Sequence, residues 1–534
     1  MTLQHMLYIS LAYQLQLSFL HFTVIYTMDD LKYSFFLPLL CFLLLIFIVR
    51  RNLKLSNASS SGTLPYKLPP GPIKLPIIGN MLHLVGSLPH HRLRDLADRY
   101  GPIMHLQLGE ISTIVISSPE TAKQVLKIHD LSFAQRPFLL AAGIVMYNFK
   151  DIAFAPYGDN WRQMRKICNL ELLSTKRVQS FRSIREEEVL FLVNSISTST
   201  ESPVNLSKML FALSNIITLR AAFGKIIKQK DEFLPLIQKT IQMFEGFSVA
   251  DIFPSVKFLH GITGMKPKLE RLHQEADMIL ENIIKKHREN KALGSYPKAG
   301  EANTLVDVLL NLQDHGNLEF SLTTDCIKAI MLDMFLAGTN PSATTIEWSM
   351  SEMIKNTRVM QKAQEEVRNL FNKKQQVIDE TSLQELKYLK LVIKETLRLH
   401  PPAPLLLPRE CRERVEITGY EIPVNTRIIV NAWAVGRNPR YWKEAEKFNP
   451  ERFLDNSTDY RGKDFEFIPF GGGRRMCHGM SYGMAVVELV LANLLYHFDW
   501  KLSGGMEPND LDMSECFGAS ARRKNELYLI PIPY

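Results

Sequence analysis

Apolar residues recur along most of this chain at the spacing of helices. Met480, Met484, Val487, Leu491, Leu494 and Phe498 fall three or four apart, the stripe of a helix with one buried face. A second long helical segment runs from about Thr323 to Lys355, with Ile327, Ile330, Met331 and Met334 on its buried side. Strict alternation is brief. Ile103 to Leu108 and Thr113 to Ser117 flank Gly109 and Glu110 as a short hairpin, and Val415 to Val430 alternates around Gly419 and Pro423 like a second small sheet. The only plausible interruption of the helical part is ENKALGSYPKAGEAN at 289–303, and no internal repeat is visible. The pattern predicts one large, mainly α body with a small β lobe.

One stretch has no period. Tyr33 to Val49 is unbroken by charge and just long enough to cross a bilayer. Asp29, Asp30 and Lys32 precede it, while Arg50, Arg51, Lys54 and Lys67 follow, which places everything after residue 50 in the cytosol. A cleaved signal peptide would carry its positive charge on the other side and a small-residue cleavage site after it; neither is present. The expected organisation is an uncharged leader at 1–27, a single-pass anchor at 28–50, a Ser/Pro linker at 51–70 and one main domain at 71–534. Met28, followed by DDLKY, is an alternative start that would leave 1–27 untranslated. Four prolines in LPPGPIKLPIIGN, 68–80, fix a stiff extended strap where the main domain begins.

Composition alone is less informative. At about 150 residues per domain, 534 residues suggest three or four domains, which the helical pattern does not support. Hydrophobic residues at 46% and charged residues at 22% exclude a disordered or fibrous chain. The net charge of +8 is spread without a long Lys/Arg run, which argues against nucleic acid as a partner. Six cysteines lie far apart, with no CxxC pair and no zinc-like His/Cys spacing. A cysteine with chemistry here acts as a single thiolate.

Cys477 is that candidate. In FIPFGGGRRMCHGMSYG, Gly471 to Gly473 let the backbone turn tightly, and Cys477 stands where the Met480 helix begins, beside Arg474 and Arg475. Helix start and positive charge both favour a thiolate. A nucleophile would need a histidine base that the adjacent His478 is poorly placed to provide, and zinc would need further ligands. An axial thiolate to haem iron needs only this residue, a backbone bulge and cations for propionates. A buried structural cysteine is the bland alternative.

The spacing F-x-x-G-x-R-x-C-x-G, filled by Phe470, Gly473, Arg475, Cys477 and Gly479, resembles the haem-binding loop of cytochrome P450 enzymes. His478 stands where the family usually has proline. Glu395 and Arg398 in KETLRLHPP resemble the family's E-x-x-R helix, and Arg452 in FNPERF resembles the arginine completing that triad. Trp161 and Arg165 in WRQMRK, with Arg409 in LLLPRE, resemble propionate partners. The resemblance runs from the strap to the C-terminus, and the anchor, strap and PERF wording are similar to plant microsomal members of the large A-type clan of specialised metabolism. It implies a cytochrome P450 fold after one transmembrane helix, haem b held by the Cys477 thiolate, O2, an NADPH-cytochrome P450 reductase docking near the basic thiolate side, and a catalytic domain on the cytosolic face of the endoplasmic reticulum.

The centre of the distal helix departs from the family. Ala337, Gly338, Thr339, Asn340, Pro341 and Ser342 occupy A/G-G-x-acid-Thr-Thr/Ser, so Asn340 replaces the acid and Pro341 the threonine. Pro341 can still break the helical ladder because it has no N–H. Neutral Asn340 is no acid near pH 7, so protons must come through water, Thr339, Ser342 or substrate. By resemblance to alkaloid-cyclising members of sarpagan-bridge type, the expectation is oxidative cyclisation or aromatisation of a monoterpene indole alkaloid. Conventional hydroxylation of a terpenoid or phenolic is the alternative; a reductase-independent hydroperoxide rearrangement and a non-catalytic haem-binding membrane protein are weighed against both. Expected pocket walls are 138–148, Phe335 to Thr339, Ala403 to Leu407 and Phe517 to Ser520, a lining suited to a hydrophobic small molecule.

Overall fold

Helices form because each buries a stripe in a shared core, and the small sheets sit at their flanks. The computed structural model describes residues 67–534, apart from 200, 225–229, 245–247, 257–262, 295–302, 317–320, 375–377 and 519. The expected leader and anchor, and the expected linker up to residue 66, lie outside those residues. Tyr66–Tyr534 forms one compact unit, which corrects the three or four domains suggested by length.

The cysteine helix is Met480–His497, and Met484, Val487, Leu491 and Leu494 are buried on it as the stripe requires. The distal segment is two helices, Thr324–Gly338 and Asn340–Lys355, with Thr339 between them. Ile327, Ile330 and Met331 are buried and Met334 is half-buried. Among the described residues one helix, Leu206–Phe223, is long and apolar enough to cross a membrane by length and composition. Leu206, Leu210, Leu213 and Ile217 are buried in the core, so it serves as a core helix.

The first hairpin forms as Ile103–Leu108 against Ile111–Ile116, turning at Gly109 with φ of 58°. The expected second sheet divides. Val415–Ile417 pairs with Tyr420–Ile422, whereas Arg427–Val430 runs parallel to Ile111–Ile116 and lies inside the four-stranded sheet. Pro423 cannot donate to a ladder and ends the local hairpin, and Arg427–Val430, buried at every residue, suits an interior strand. The proline strap lies along Ile103–Leu108. His105 N–H donates to the Pro70 carbonyl at 2.9 Å, and a Cβ at Gly71 would lie 2.0 Å from the His105 carbonyl oxygen, so only glycine fits. Asn80 staples the strap, donating to the Pro72 and Ile73 carbonyls and accepting from Gln107 N–H.

Glu395 and Arg398, on Lys387–Leu399, are fully buried and paired through two bonds of 2.8 Å. Arg452 Nε donates to the same carboxylate at 2.9 Å, as does Asn449 N–H at 2.8 Å. The guanidinium groups then hold the Gly436, Ala445, Lys443 and Lys447 carbonyls, pinning the irregular segment ahead of the cysteine loop. Removing one partner of a buried ion network leaves a charge uncompensated. Glu395→Gln is expected to lower unfolding free energy by about 3–5 kcal/mol, read as a shifted denaturant midpoint.

Glu515 joins the C-terminal part to the helix Pro89–Tyr100 and to the end of Lys387–Leu399. It accepts from His90 Nε2 at 2.7 Å and faces His91 Nε2 and His400 Nδ1 at 3.4 Å each. Burial works against its charge, but the histidine hydrogen bonds outweigh burial and hold the carboxyl well below its ordinary 4.5. A depressed carboxylate stabilises fully above its unfolded value and progressively less as pH falls below it. The stability of the protein should therefore fall below about pH 4.5, with a shallower acid limb in Glu515→Gln when unfolding midpoints are measured against pH.

Candidate active site

The loop before the cysteine helix is shaped by close approach. A Cβ at Gly473, whose φ is 66°, would lie 2.1 Å from the Leu126 carbonyl oxygen and 2.5 Å from Asp130 Oδ1. Asp130 accepts from Arg474 N–H at 2.9 Å, and Cys477 N–H donates to the Phe470 carbonyl at 3.0 Å, closing the bulge. Phe470 packs edge-on to Tyr460.

Cys477 is exposed, yet burial pushes its thiol above the ordinary 9.0. Both hold only if the side chain faces an interior space surrounded by protein. The Gly479 N–H, the nearby Arg165 and the Met480 N–H act in the opposite sense, each favouring the thiolate. His478 is pushed down to about 4 by burial and by Arg165, so it is neutral at physiological pH. Gly479 is the residue before the helix, and its N–H is part of the thiolate's support.

Behind the loop, arginines crowd together. Arg475 donates to the Ala134, Ile152 and Ala155 carbonyls, and Arg165 to the carbonyl of Met476, the residue before the cysteine, at 2.7 Å. Arg409 pairs with Asp130 at 3.0 Å and donates to the Gly472 carbonyl. Trp161 Nε1 donates to the Ile152 carbonyl at 3.0 Å, and its ring lies under Arg475. Sequence reasoning missed Arg136, which is buried here and donates to the Ala153, Leu407 and Pro408 carbonyls. Its signal was present: between Asp130 and Lys150 it is the only charged residue in an apolar stretch.

Burial and mutual repulsion depress these cations. Arg475 is pushed down to about 9 by burial first and then by Arg409, and Arg136 is lowered by burial, Arg475 and Arg409. Asp151, buried beside them, is itself pushed up to about 6 by burial, so it offsets them incompletely. Arg136, Arg409 and Arg475 are each at least nine-tenths buried and mostly bound to carbonyls. That arrangement has room for added negative charge.

The distal side reaches the cysteine helix directly. Ser342 Oγ lies 3.3 Å from where a Cβ on Gly483 would be, so the two helices meet closely here and a side chain at 483 would push the serine hydroxyl aside by a few tenths of an ångström. Ala337 is exposed, although Met331, Leu332 and Phe335 on the same helix are buried. Thr339 Oγ1 donates to the Phe335 carbonyl of its own helix at 2.9 Å. Asn340 and Pro341 are half-buried, and Pro341 supplies no N–H to the Ala337 carbonyl. Of the expected walls, Phe138 and Leu407 are exposed, and Leu406 Cδ1 lies 3.7 Å from where a Cβ on Gly471 would be, against the cysteine loop. Ala519 lies outside the described residues.

A cleft of about 410 Å³ opens beside the loop, lined by Tyr157, Trp161 and the cations Arg162, Arg165, Lys166 and Arg474, with no acid among its lining residues.

With this geometry in view, comparison with known proteins is direct. The family model described as Cytochrome P450 matches residues 69–529. The chain is 55% identical over 502 residues to premnaspirodiene oxygenase of Hyoscyamus muticus, covering 94% of this chain and 99% of that protein. It is 53% identical over 504 residues to 5-epiaristolochene 1,3-dihydroxylase of Nicotiana tabacum, with the same coverage of 94% and 99%. A zebrafish cytochrome P450 solved with progesterone shares the fold at a TM-score of 0.72 and 22% identity, covering 84% of this chain and 100% of that one. The chain is thus a plant member of the cytochrome P450 family of monooxygenases, whose cofactor is haem.

Proposed function

We propose that this enzyme oxygenates an apolar terpenoid at a haem held by Cys477, with electrons from an NADPH-dependent reductase. The observation that carries this reading is the pairing of an inward-facing thiol with a surplus of buried arginine charge. Haem fits both: it takes a thiolate ligand and carries two anionic propionates. When bound, haem supplies the oxygen chemistry of the family. Cys477 would hold it through its thiolate, which the Gly479 and Met480 N–H groups support. Arg136, Arg165, Arg409 and Arg475, with Trp161, would supply the positive charge for its propionates, and Phe470, Gly473 and Gly479 shape the loop. Glu395, Arg398 and Arg452 keep the preceding segment in place.

In the distal segment Pro341 leaves the Ala337 carbonyl without its helical donor, so that carbonyl can bind water or a substrate hydroxyl. Ser342 spaces the helices, and Thr339, its hydroxyl committed to Phe335, is poorly disposed to give a proton away.

The named relatives, an oxygenase and a dihydroxylase of terpenes, support oxygen insertion into a terpenoid, and the four expected wall segments contain no acid to pair with an amine. Both observations favour the terpenoid alternative; neither supports cyclisation of an alkaloid. The acid-free basic cleft supports an acidic redox partner at the thiolate side. Attachment to the endoplasmic reticulum membrane, with this domain cytosolic, is part of the same reading and leaves Asn57, Asn205 and Asn456 without glycans.

Microsomes containing the enzyme, a plant reductase, NADPH and premnaspirodiene or a related terpene are expected to give a product carrying one labelled atom from O2. A product two hydrogens lighter and unlabelled would favour the cyclisation reading, and turnover only with a hydroperoxide would remove the reductase. Cys477→Ser should abolish the thiolate-type carbon monoxide spectrum. Arg475→Met should weaken haem retention by about ten- to a hundredfold, from loss of a charged hydrogen bond worth about 1.5–3 kcal/mol.

A further inference from the structure

Two packed helices carry facing stripes of polar groups. On Leu206–Phe223, Ser207, Ser214 and Thr218 share one face, and on Asn340–Lys355 so do Asn340, Thr344 and Glu347, at i, i+4 and i+7. Register is fixed at both ends. Ser207 Oγ donates to Glu347 Oε1, and Thr218 Oγ1 lies 3.9 Å from where a Cβ on Gly338 would be. The helices therefore run antiparallel, with Ser214 and Thr344 between those two contacts.

This seam contains polar atoms without protein partners. Ser214, Thr344, Glu347 and Tyr482 are 2%, 0%, 2% and 7% exposed. Ser214 Oγ, Thr344 Oγ1, Glu347 Oε2 and Tyr482 Oη make no hydrogen bond within the protein. Tyr482 comes from the cysteine helix, and its hydroxyl lies against Thr218. Buried groups of this kind are normally satisfied by ordered water, and a polar seam between helices is where such water resides.

Its two ends have different characters. The inner end reaches Asn340 and Pro341, which themselves carry neither an acid nor a hydroxyl; the adjacent Thr339 donates within its own helix, and Thr345 Oγ1 donates to the Pro341 carbonyl at 2.8 Å. The outer end is Glu347, seven residues away and about 10 Å along the helix. Arg523 and the exposed Arg522 face it, and Ser207, which donates to it, accepts from Leu527 N–H at 2.7 Å. Burial raises the Glu347 carboxyl above its ordinary value, against Ser207, Arg523 and Arg522.

We propose that Glu347 is the proton source for oxygenation, passing protons along a file of water and hydroxyl groups through this seam to the Asn340–Pro341 break. The carboxyl proton leaves Oε2 for a neighbouring water, and each water or hydroxyl in turn accepts one proton and releases one. The resulting carboxylate stays beside Arg523 and regains its proton from solvent at the Arg522 side. No electron moves in the relay; electrons come from NADPH, so the proposal rests on the reductase-driven oxygenation above.

Two variants test it. Glu347→Gln keeps the side-chain shape and removes the exchangeable proton; Ser214→Ala with Thr344→Val leaves Glu347 but dries the seam. In the resting haem protein, the infrared spectrum of Glu347→Gln should lose one carboxylic C=O component that shifts in D2O, whereas the double variant should retain it. In reconstituted microsomes both variants should form about tenfold less product per NADPH, the missing electrons appearing as hydrogen peroxide, with the substrate-induced spectral shift unchanged. An unchanged infrared spectrum in Glu347→Gln, or wild-type coupling in either variant, overturns the relay. Absence of NADPH-driven turnover in the wild type overturns the oxygenation reading instead, and the infrared comparison still decides the state of Glu347.

Discussion

Buried guanidinium groups beside Cys477 set the terms for the rest of the fold. Arg136, Arg409 and Arg475 lie in the interior, push one another's charge down, and find mostly carbonyl oxygens as partners. A chain keeps such a cluster only if something anionic joins it, because repulsion between desolvated cations is costly. The same cluster braces the segments that form the site: Arg475 holds 134–155, Arg165 holds Met476, and Arg136 holds the Leu407 wall. On the reading proposed above, charge for a cofactor and rigidity for a pocket come from the same side chains.

The elements around that cluster are held by close fits. Glycine at 483 lets the cysteine helix meet Ser342, and glycine at 473 lets the loop lie on Leu126 and Asp130. Glu395, with Arg398 and Arg452, anchors the irregular segment that precedes the loop. The Cys477 thiol is thus positioned by backbone packing on one side, while Pro341 interrupts the helix that forms the opposite wall.

Local signals in the sequence revealed the parts that are contiguous in it. The cysteine stripe, the first hairpin and the distal helix follow from periodicity, and Cys477 follows from glycine spacing and a helix start. Glu395 and Arg398 are one helical turn apart, so their pairing was visible, but their burial was not. Arg427–Val430 looked like part of a local sheet because alternation carries no information about which strand a segment joins. Arg136 escaped because its role depends on Arg475 and Arg409, which are far from it in sequence. The hydroxyl seam escaped for a similar reason: Ser214, Thr344 and Tyr482 are unremarkable in their own helices and acquire meaning only where those helices meet.

Asn340 and Pro341 stand where the family pattern has an acid and a threonine, and on the reading proposed above protons reach the site along the hydroxyl seam instead. Everything nevertheless depends on Cys477 being the ligand. X-ray absorption at the iron of the purified protein tests that most directly: one sulfur in the coordination shell, lost in Cys477→Ser, is the result expected here. A shell of nitrogen and oxygen alone, or a sulfur that survives that substitution, would contradict it.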